Sequence, residues 1–350
     1  MRVFSGAWGG GTAPIARLLS RISIRRVAVL VGALGLAGSV SGCGGDPFYP
    51  TPTRKAQDAN NPTPQTLAIT DDLEPPTPAA RPSPASSSSA TYYRQVEKNL
   101  LSQGLLREDI APRDAPFGAR QLTDNFVKVA LYDEFGDSQG RLTSGERVSE
   151  LRRWDAPVKM RIEFGDSVDA ATRAKDRAKI SSYAGRLARV SGHPVKLADR
   201  GANFTVLIVN EDERRALGPR LSALVPGIAA GTIEAISTLP PSALCVVYTF
   251  SDGHSPIYNR AVAVIRAEHP ERLKNVCINE ELAQGLGLAN DSPKARPSIF
   301  NDDEEFALLT RHDELLLKIL YDPRLKPGMK EAAARPIVTT IATELLGGDS

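Results

Sequence analysis

Glu280-Glu281-Leu282-Ala283-Gln284-Gly285-Leu286-Gly287-Leu288-Ala289-Asn290-Asp291 is the stretch on which the reading of this chain turns. Residues four apart share a helix face, so Glu280 and Gln284 project together. Val276, Leu282 and Leu286 supply apolar positions that pack such a helix into a core. Gly287 can take a left-handed backbone conformation that a Cβ would resist, which ends the helix and turns the chain. That turn is expected to bring Asn290 back toward Glu280 and Gln284. The three positions then offer a carboxylate and two amides, with a second carboxylate, Glu281, beside them. Amides are poor zinc ligands, and oxygen-only sites favour calcium, magnesium or manganese.

Working outward, the N-terminal 43 residues read as a targeting segment. Arg17, Arg21, Arg25 and Arg26 make a basic flank, and residues 27–38 form an apolar run too short to span a bilayer comfortably. The run ends in Val40-Ser41-Gly42-Cys43. This resembles the lipobox of bacterial lipoproteins, in which the cysteine is lipidated and becomes the mature N-terminus. The alternative is an ordinary cleaved signal with an incidental cysteine. The formal charge of the chain is +2, but residues 1–43 carry five arginines and no acids. Without them the remainder is −3, so the basic balance belongs to the export signal. No basic patch argues for nucleic acid as a partner.

Residues 44–91 hold ten prolines and the serine run 86–89. Such a composition buries too little apolar surface to offset the entropy of ordering, so a disordered linker is expected. Proline-rich chain extends semi-rigidly, which suits a tether holding a domain off a membrane. One globular domain is expected from residue 92 to residue 350.

Within that domain, residues 126–132 fit a strand or a buried helix equally well. Residues 154–164 read as a half-buried strand, since Val158, Met160, Ile162 and Phe164 alternate with Lys159, Arg161 and Glu163. Residues 170–190 are helical, and 195–197 and 204–209 follow as strands. Residues 219–240 are broken by Pro219, Pro226, Gly227, Gly231 and Pro240-Pro241. Residues 245–250 and 257–265 read as a strand and its returning partner. Thr310 with Asp313 makes a capping-box pattern before the apolar run Leu316, Leu317, Ile319, Leu320. A last helix over 328–346 is interrupted at Pro336.

Two further cysteines remain. In an exported protein an even pair reads as a disulfide, and Cys245 with Cys277 would join a strand to the start of the motif helix. Two buried thiols are the alternative. His193, His254, His269 and His312 share no ligand spacing and are read as surface or capping residues. The acidic run Asp302-Asp303-Glu304-Glu305 lacks calcium-loop spacing and is read as a solvated loop or helix start.

The stretch quoted first resembles the H-E-x-x-H-x-x-G-x-x-H signature of the metzincins. Glu280, Gln284 and Asn290 stand where the three histidines would be, Glu281 where the general base would be, and Gly287 keeps the glycine. Ser298-Ile299-Phe300 resembles the Ser-Ile-Met of a Met-turn. The order of elements is similar to a zincin upper subdomain, a twisted mixed sheet with a backing helix and a motif helix. The chain from 121 to 346 also resembles bacterial envelope lipoproteins named only as a domain of unknown function. That likeness rests on Arg153-Trp154, the motif stretch from Cys277, Pro297-Ser298-Ile299-Phe300-Asn301-Asp302 and Leu320-Tyr321-Asp322-Pro323-Arg324.

These resemblances imply an α+β, zincin-like fold with a helical C-terminal part. They imply a lipoprotein in the periplasm, anchored to the membrane through Cys43. Its metallopeptidase-like domain is expected to lack activity and any cofactor, and to bind a peptide or envelope protein or act as a scaffold. A hydrolase using Glu281 with a non-zinc metal or none, and a purely structural envelope protein, are the alternatives. Replacing the lipidated residue, Cys43→Ser, is expected to move the protein from the membrane to the soluble fraction. Unchanged membrane fractionation would contradict the anchor.

Overall fold

A computed structural model describes residues 31–34, 82–138, 141–301 and 303–347. Cys43 and most of the expected linker lie outside the described residues. The first described elements are strand β1 (Val31–Leu34) and helix α1 (Pro84–Ser102).

Helix α1 begins inside the stretch expected to be linker, and its start has local and distant causes. Ser83 caps it by accepting a hydrogen bond from the Ser86 amide, and a proline stands in its first turn, where no amide donor is lost. The Ser86 hydroxyl then donates to Glu268, and Tyr93 is fully buried. A serine run that looks unstructured by composition is thus held by tertiary contacts.

Helix α2 (Ala119–Ala130) settles the ambiguous 126–132 stretch in favour of helix as far as Ala130. Its buried Leu122, Phe126 and Val129 recur at helical spacing. Strands β2 (Tyr132–Ser138) and β3 (Arg141–Val148) form a separate antiparallel pair. Strand β4 (Arg153–Trp154) and β5 (Val158–Phe164) follow, then helix α3 (Ala170–Ser191), β6 (Val195–Leu197) and β7 (Phe204–Val209). Every residue of β7 is buried, as a central strand covered on both faces requires.

Short helix α4 (Glu211–Arg215) follows, and the region 219–240 is helical in two short pieces, α5 (Gly218–Leu224) and α6 (Ala230–Ser237). Strand β8 (Cys245–Asp252) comes next. The expected continuous return strand over 257–265 is split into β9 (Ile257–Tyr258) and β10 (Arg260–Arg266). The split arises because β9 pairs with β4, whereas β10 enters the main sheet. Helices α7 (Glu271–Gln284), α8 (Arg311–Leu320) and α9 (Glu331–Leu345) complete the chain, with Pro336 inside α9.

The main sheet has the order β1-β8-β10-β7-β5-β6. Strands β10, β7, β5 and β6 run parallel, β8 runs antiparallel to β10, and β1 pairs in parallel with β8. Alternation along β7 feeds two cores. Phe204, Val206 and Ile208 join the larger one, with residues of α2, α3, α7, α8 and α9. Leu207 and Val209 join the smaller one, with Leu221 of α5 and Ile236 of α6. The architecture is therefore α+β with a mixed sheet. Among the described residues, no helix is long and apolar enough to cross a membrane.

Helix α7 ends at Gln284 with Gly285 as its C-cap, so Gly287, expected to end the helix, instead turns the chain two residues further on. Its φ is +126°, and a Cβ there would collide with the Arg152 carbonyl oxygen and press Leu320 at 3.2 Å. Gly287→Ala combines an unfavourable backbone angle with overpacking of fixed backbone. It is expected to cost about 2–3 kcal/mol, read as a lower denaturant midpoint at unchanged slope. A midpoint equal to that of the native chain would contradict this role.

Candidate functional site

Helix α7 carries the motif into the interior. Every residue from Val276 to Gln284 is buried, because the helix packs on β8 and β10 of the sheet and against α1 and α3. Cys277, in its middle turn, is disulfide-bonded to Cys245, the first residue of β8. The Cα atoms stand 5.8 Å apart and the bond closes a loop of sequence separation 32. A loop of that length is worth about 3–4 kcal/mol in the chain-entropy account.

The bond has a geometric consequence for the carboxylates. Glu280 and Glu281 lie three and four residues beyond Cys277, hence over the same turn of helix face. Cys245, Glu280 and Glu281 accordingly offer potential ligand atoms within 4.8 Å of one another, all buried. This grouping of Cys245 with the motif carboxylates escaped the sequence reading. The i, i+3 and i+4 spacing from Cys277 held the signal.

The other two motif positions are engaged elsewhere. Gln284 Nε2 donates to Asp291 Oδ1 at 2.9 Å. Asn290 Nδ2 donates to the Lys128 carbonyl at 2.8 Å, and its backbone amide donates to the Val129 carbonyl at 3.0 Å. The turn after α7 therefore seats Asn290 on the C-terminal end of α2. The Asn290 amide is drawn there because the end of α2 supplies unsatisfied carbonyls, and Asn290 satisfies one of them.

The residues that carry the sequence resemblance converge around this helix. Trp154 Nε1 donates to the Gly285 carbonyl at 2.7 Å, and Tyr321 Oη donates to the Leu286 carbonyl at 2.9 Å. Both satisfy carbonyls at the end of α7. Arg153 donates to the carbonyls of Leu320 and Leu325, which closes the end of α8. Ser298 donates to Asp313 Oδ1 at 2.5 Å, and the Ile299 amide donates to Asp313 Oδ2 at 3.1 Å. Asp313 also completes the expected capping box with Thr310.

Two histidines read as surface or capping residues are buried instead. His312 is fully enclosed, with Nε2 3.0 Å from Asn125 Nδ2. His269 packs its ring edge-on to Tyr93 and sets Nδ1 3.6 Å from Cys277 Sγ. Burial first, and then the neighbouring Arg266 and Lys274 charges, hold the His269 imidazole well below its ordinary pKa. The acidic run is likewise not simply solvated. Glu305 is buried and accepts from Arg296 at 2.6 Å and Arg107 at 2.8 Å, and the Arg296 bond lowers its pKa. On the sheet, burial and then the Glu281 carboxylate raise the Tyr248 phenol above its ordinary range.

Chemically, the motif in this state offers two carboxylates beside a disulfide sulfur and two committed amides. Residues 119–340 match the sequence profile of a family described as a protein of unknown function (DUF2927). No curated protein and no solved structure matches the chain.

Proposed function

Since this chain belongs to the DUF2927 family, whose function is unknown, we propose that it is a lipid-anchored envelope protein with a zincin-like domain that binds a peptide or protein partner without zinc. The observation that carries this reading is the engagement of Gln284 and Asn290 away from Glu280. A zinc site takes three or four nitrogen, sulfur or carboxylate donors at roughly 2.0–2.3 Å. Here two of the three positions are amides held by other groups, and the adjacent sulfur is in a disulfide. A general-base role for Glu281 would require a metal-bound water, which this donor set does not favour.

The sheet supports a binding role. Strand β8 takes an additional strand along its outer edge, with Val31 opposite Thr249 and Leu34 opposite Asp252. In this reading Val31–Leu34 belongs to the export signal, and processing at Cys43 leaves the edge for a partner's extended segment. Strand addition supplies affinity through main-chain hydrogen bonds, the mode by which zincins hold peptides. The anchor at Cys43 places the domain on the periplasmic side.

A second reading has its own observation. The proximity of Glu280 and Glu281 is an oxygen-rich arrangement suited to magnesium, calcium or manganese, and would serve a hydrolase using Glu281. Elemental analysis of disulfide-bonded protein purified without chelator separates the readings. No stoichiometric metal is expected. One equivalent of zinc would overturn the proposal, and one equivalent of a harder cation, with an activity abolished by Glu281→Gln, would establish the alternative.

A further inference from the structure

Helix α1 and the disulfide hold the same two segments together, one by packing and the other covalently. Cys245 opens β8, and Cys277 lies in the middle of α7. The Tyr93 hydroxyl of α1 donates to the Pro241 carbonyl at 3.2 Å, four residues ahead of Cys245. The same ring stands edge-on to His269, with centroids 4.5 Å apart, in the turn from β10 into α7. His269 in turn sets Nδ1 3.6 Å from Cys277 Sγ. Tyr93, His269 and Cys277 thus form a continuous path from α1 to the bond, and none of the three is more than 4% exposed.

On either side of Tyr93, α1 fastens the same turn. Ser86 Oγ donates to Glu268 at 2.8 Å. Glu97 Oε2 accepts from the amides of Arg272 and Leu273, at 3.0 and 3.1 Å. These are first-turn amides of α7, whose N-cap residue, Pro270, supplies no side-chain acceptor, so α1 caps α7 from outside. The grip is narrow. Ser86, Tyr93 and Leu100, spaced seven apart on one face, are the three buried residues of nineteen in α1, against eleven of fourteen in α7. An element held by so little buried surface opens at a free energy below that of global unfolding.

We propose that α1 is a gate over the Cys245–Cys277 disulfide: docked, it shuts the bond off from external dithiols, and its release alone, with the sheet and C-terminal helices in place, opens Cys277 to reduction. Once Tyr93 leaves, the His269 ring loses the neighbour that holds it over Cys277. The inference concerns the redox state of the fold and does not rest on the peptide-binding reading.

The reductant is a dithiol of the kind carried by thiol–disulfide oxidoreductases. One of its thiolates bonds to Cys277 Sγ, the sulfur behind His269, as the Cys245–Cys277 bond breaks. Cys245 leaves with the electron pair and takes a proton. The second thiol of the reagent then displaces Cys277, which also takes a proton, and the reagent ends as a disulfide. Two electrons and two protons pass to the protein.

Dithiothreitol is the probe, used with the full chain carrying Cys43→Ser so that only the two internal cysteines report. Reduction in native buffer is followed by alkylation and mass spectrometry, and its rate relative to that of the denatured chain gives an opening constant. Hydrogen exchange of the Arg272 and Leu273 amides measures the same opening independently. The two constants are expected to agree within about threefold and to exceed the global unfolding constant by about tenfold or more. Glu97→Ala should speed reduction about fivefold, the worth of a lost helix cap, and Tyr93→Ala about a hundredfold or more. Val338→Ala is the control, a truncation at a fully buried site of α9, which packs on α2 and α8. It lowers global stability and should leave the reduction rate within about twofold. A rate that rises with Val338→Ala but not with Glu97→Ala would overturn the gate, because reduction would then follow global unfolding. Equal rates in the parent chain and in Glu97→Ala would overturn it as well. Should Tyr93→Ala fail to fold, the comparison of Glu97→Ala with Val338→Ala decides alone.

Discussion

The covalent link between Cys245 and Cys277 fixes helix α7 against strand β8, and most other features of the site follow from that placement. With the middle of α7 held at the start of β8, Glu280 and Glu281 must lie beside the bond, and the end of the helix must fall over β4. Trp154 and Tyr321 then accommodate the two carbonyls that the helix end leaves unsatisfied. Gly287 lets the chain pass within reach of the Arg152 backbone, and Asn290 lands on α2. The link is worth only about 3–4 kcal/mol on its own, yet domains of this kind are stable by not much more than that.

Buried charge elsewhere is matched by the same rule, that each ion in the interior has a partner. Glu211 lies between Arg214 and Arg266, at 2.8 and 2.7 Å, and Arg266 also donates to the carbonyls of Leu239 and Pro240. Lys274, one turn before the motif on α7, is paired with Asp176 of α3 at 3.1 Å. Removing one member of such a pair is expected to cost more than replacing both, because it strands the other charge. The first set ties α4 to β10 of the sheet, and the second ties α7 to α3.

Regular alternation and capping were readable directly. Strands β5, β6 and β7 end where the alternation of Val158, Met160 and Ile162 and the apolar run from Phe204 predict, and Thr310 with Asp313 caps α8. The part of helix α1 ahead of Tyr92 was missed because its stabilising contact, Ser86 to Glu268, spans 182 residues. His312 was misread for the same reason, since Asn125 is 187 residues away. The strand after β8 was read as continuous because apolar alternation does not record a change of pairing partner. At the motif, helix and turn were legible from spacing and glycine, whereas the direction of the two amides depended on a carbonyl of α2 and on Asp291. Neither acceptor is marked by the motif pattern.

The side-chain amide resonances of Gln284 and Asn290 in disulfide-bonded protein, followed by NMR as zinc is added to one equivalent, report most directly on whether the motif is a packing device or a metal site. With Gln284 bound to Asp291 and Asn290 to Lys128, both signal pairs are expected to stay in place and to exchange slowly with solvent. Movement of both pairs together as zinc is added would contradict this and show that the motif still closes around a metal.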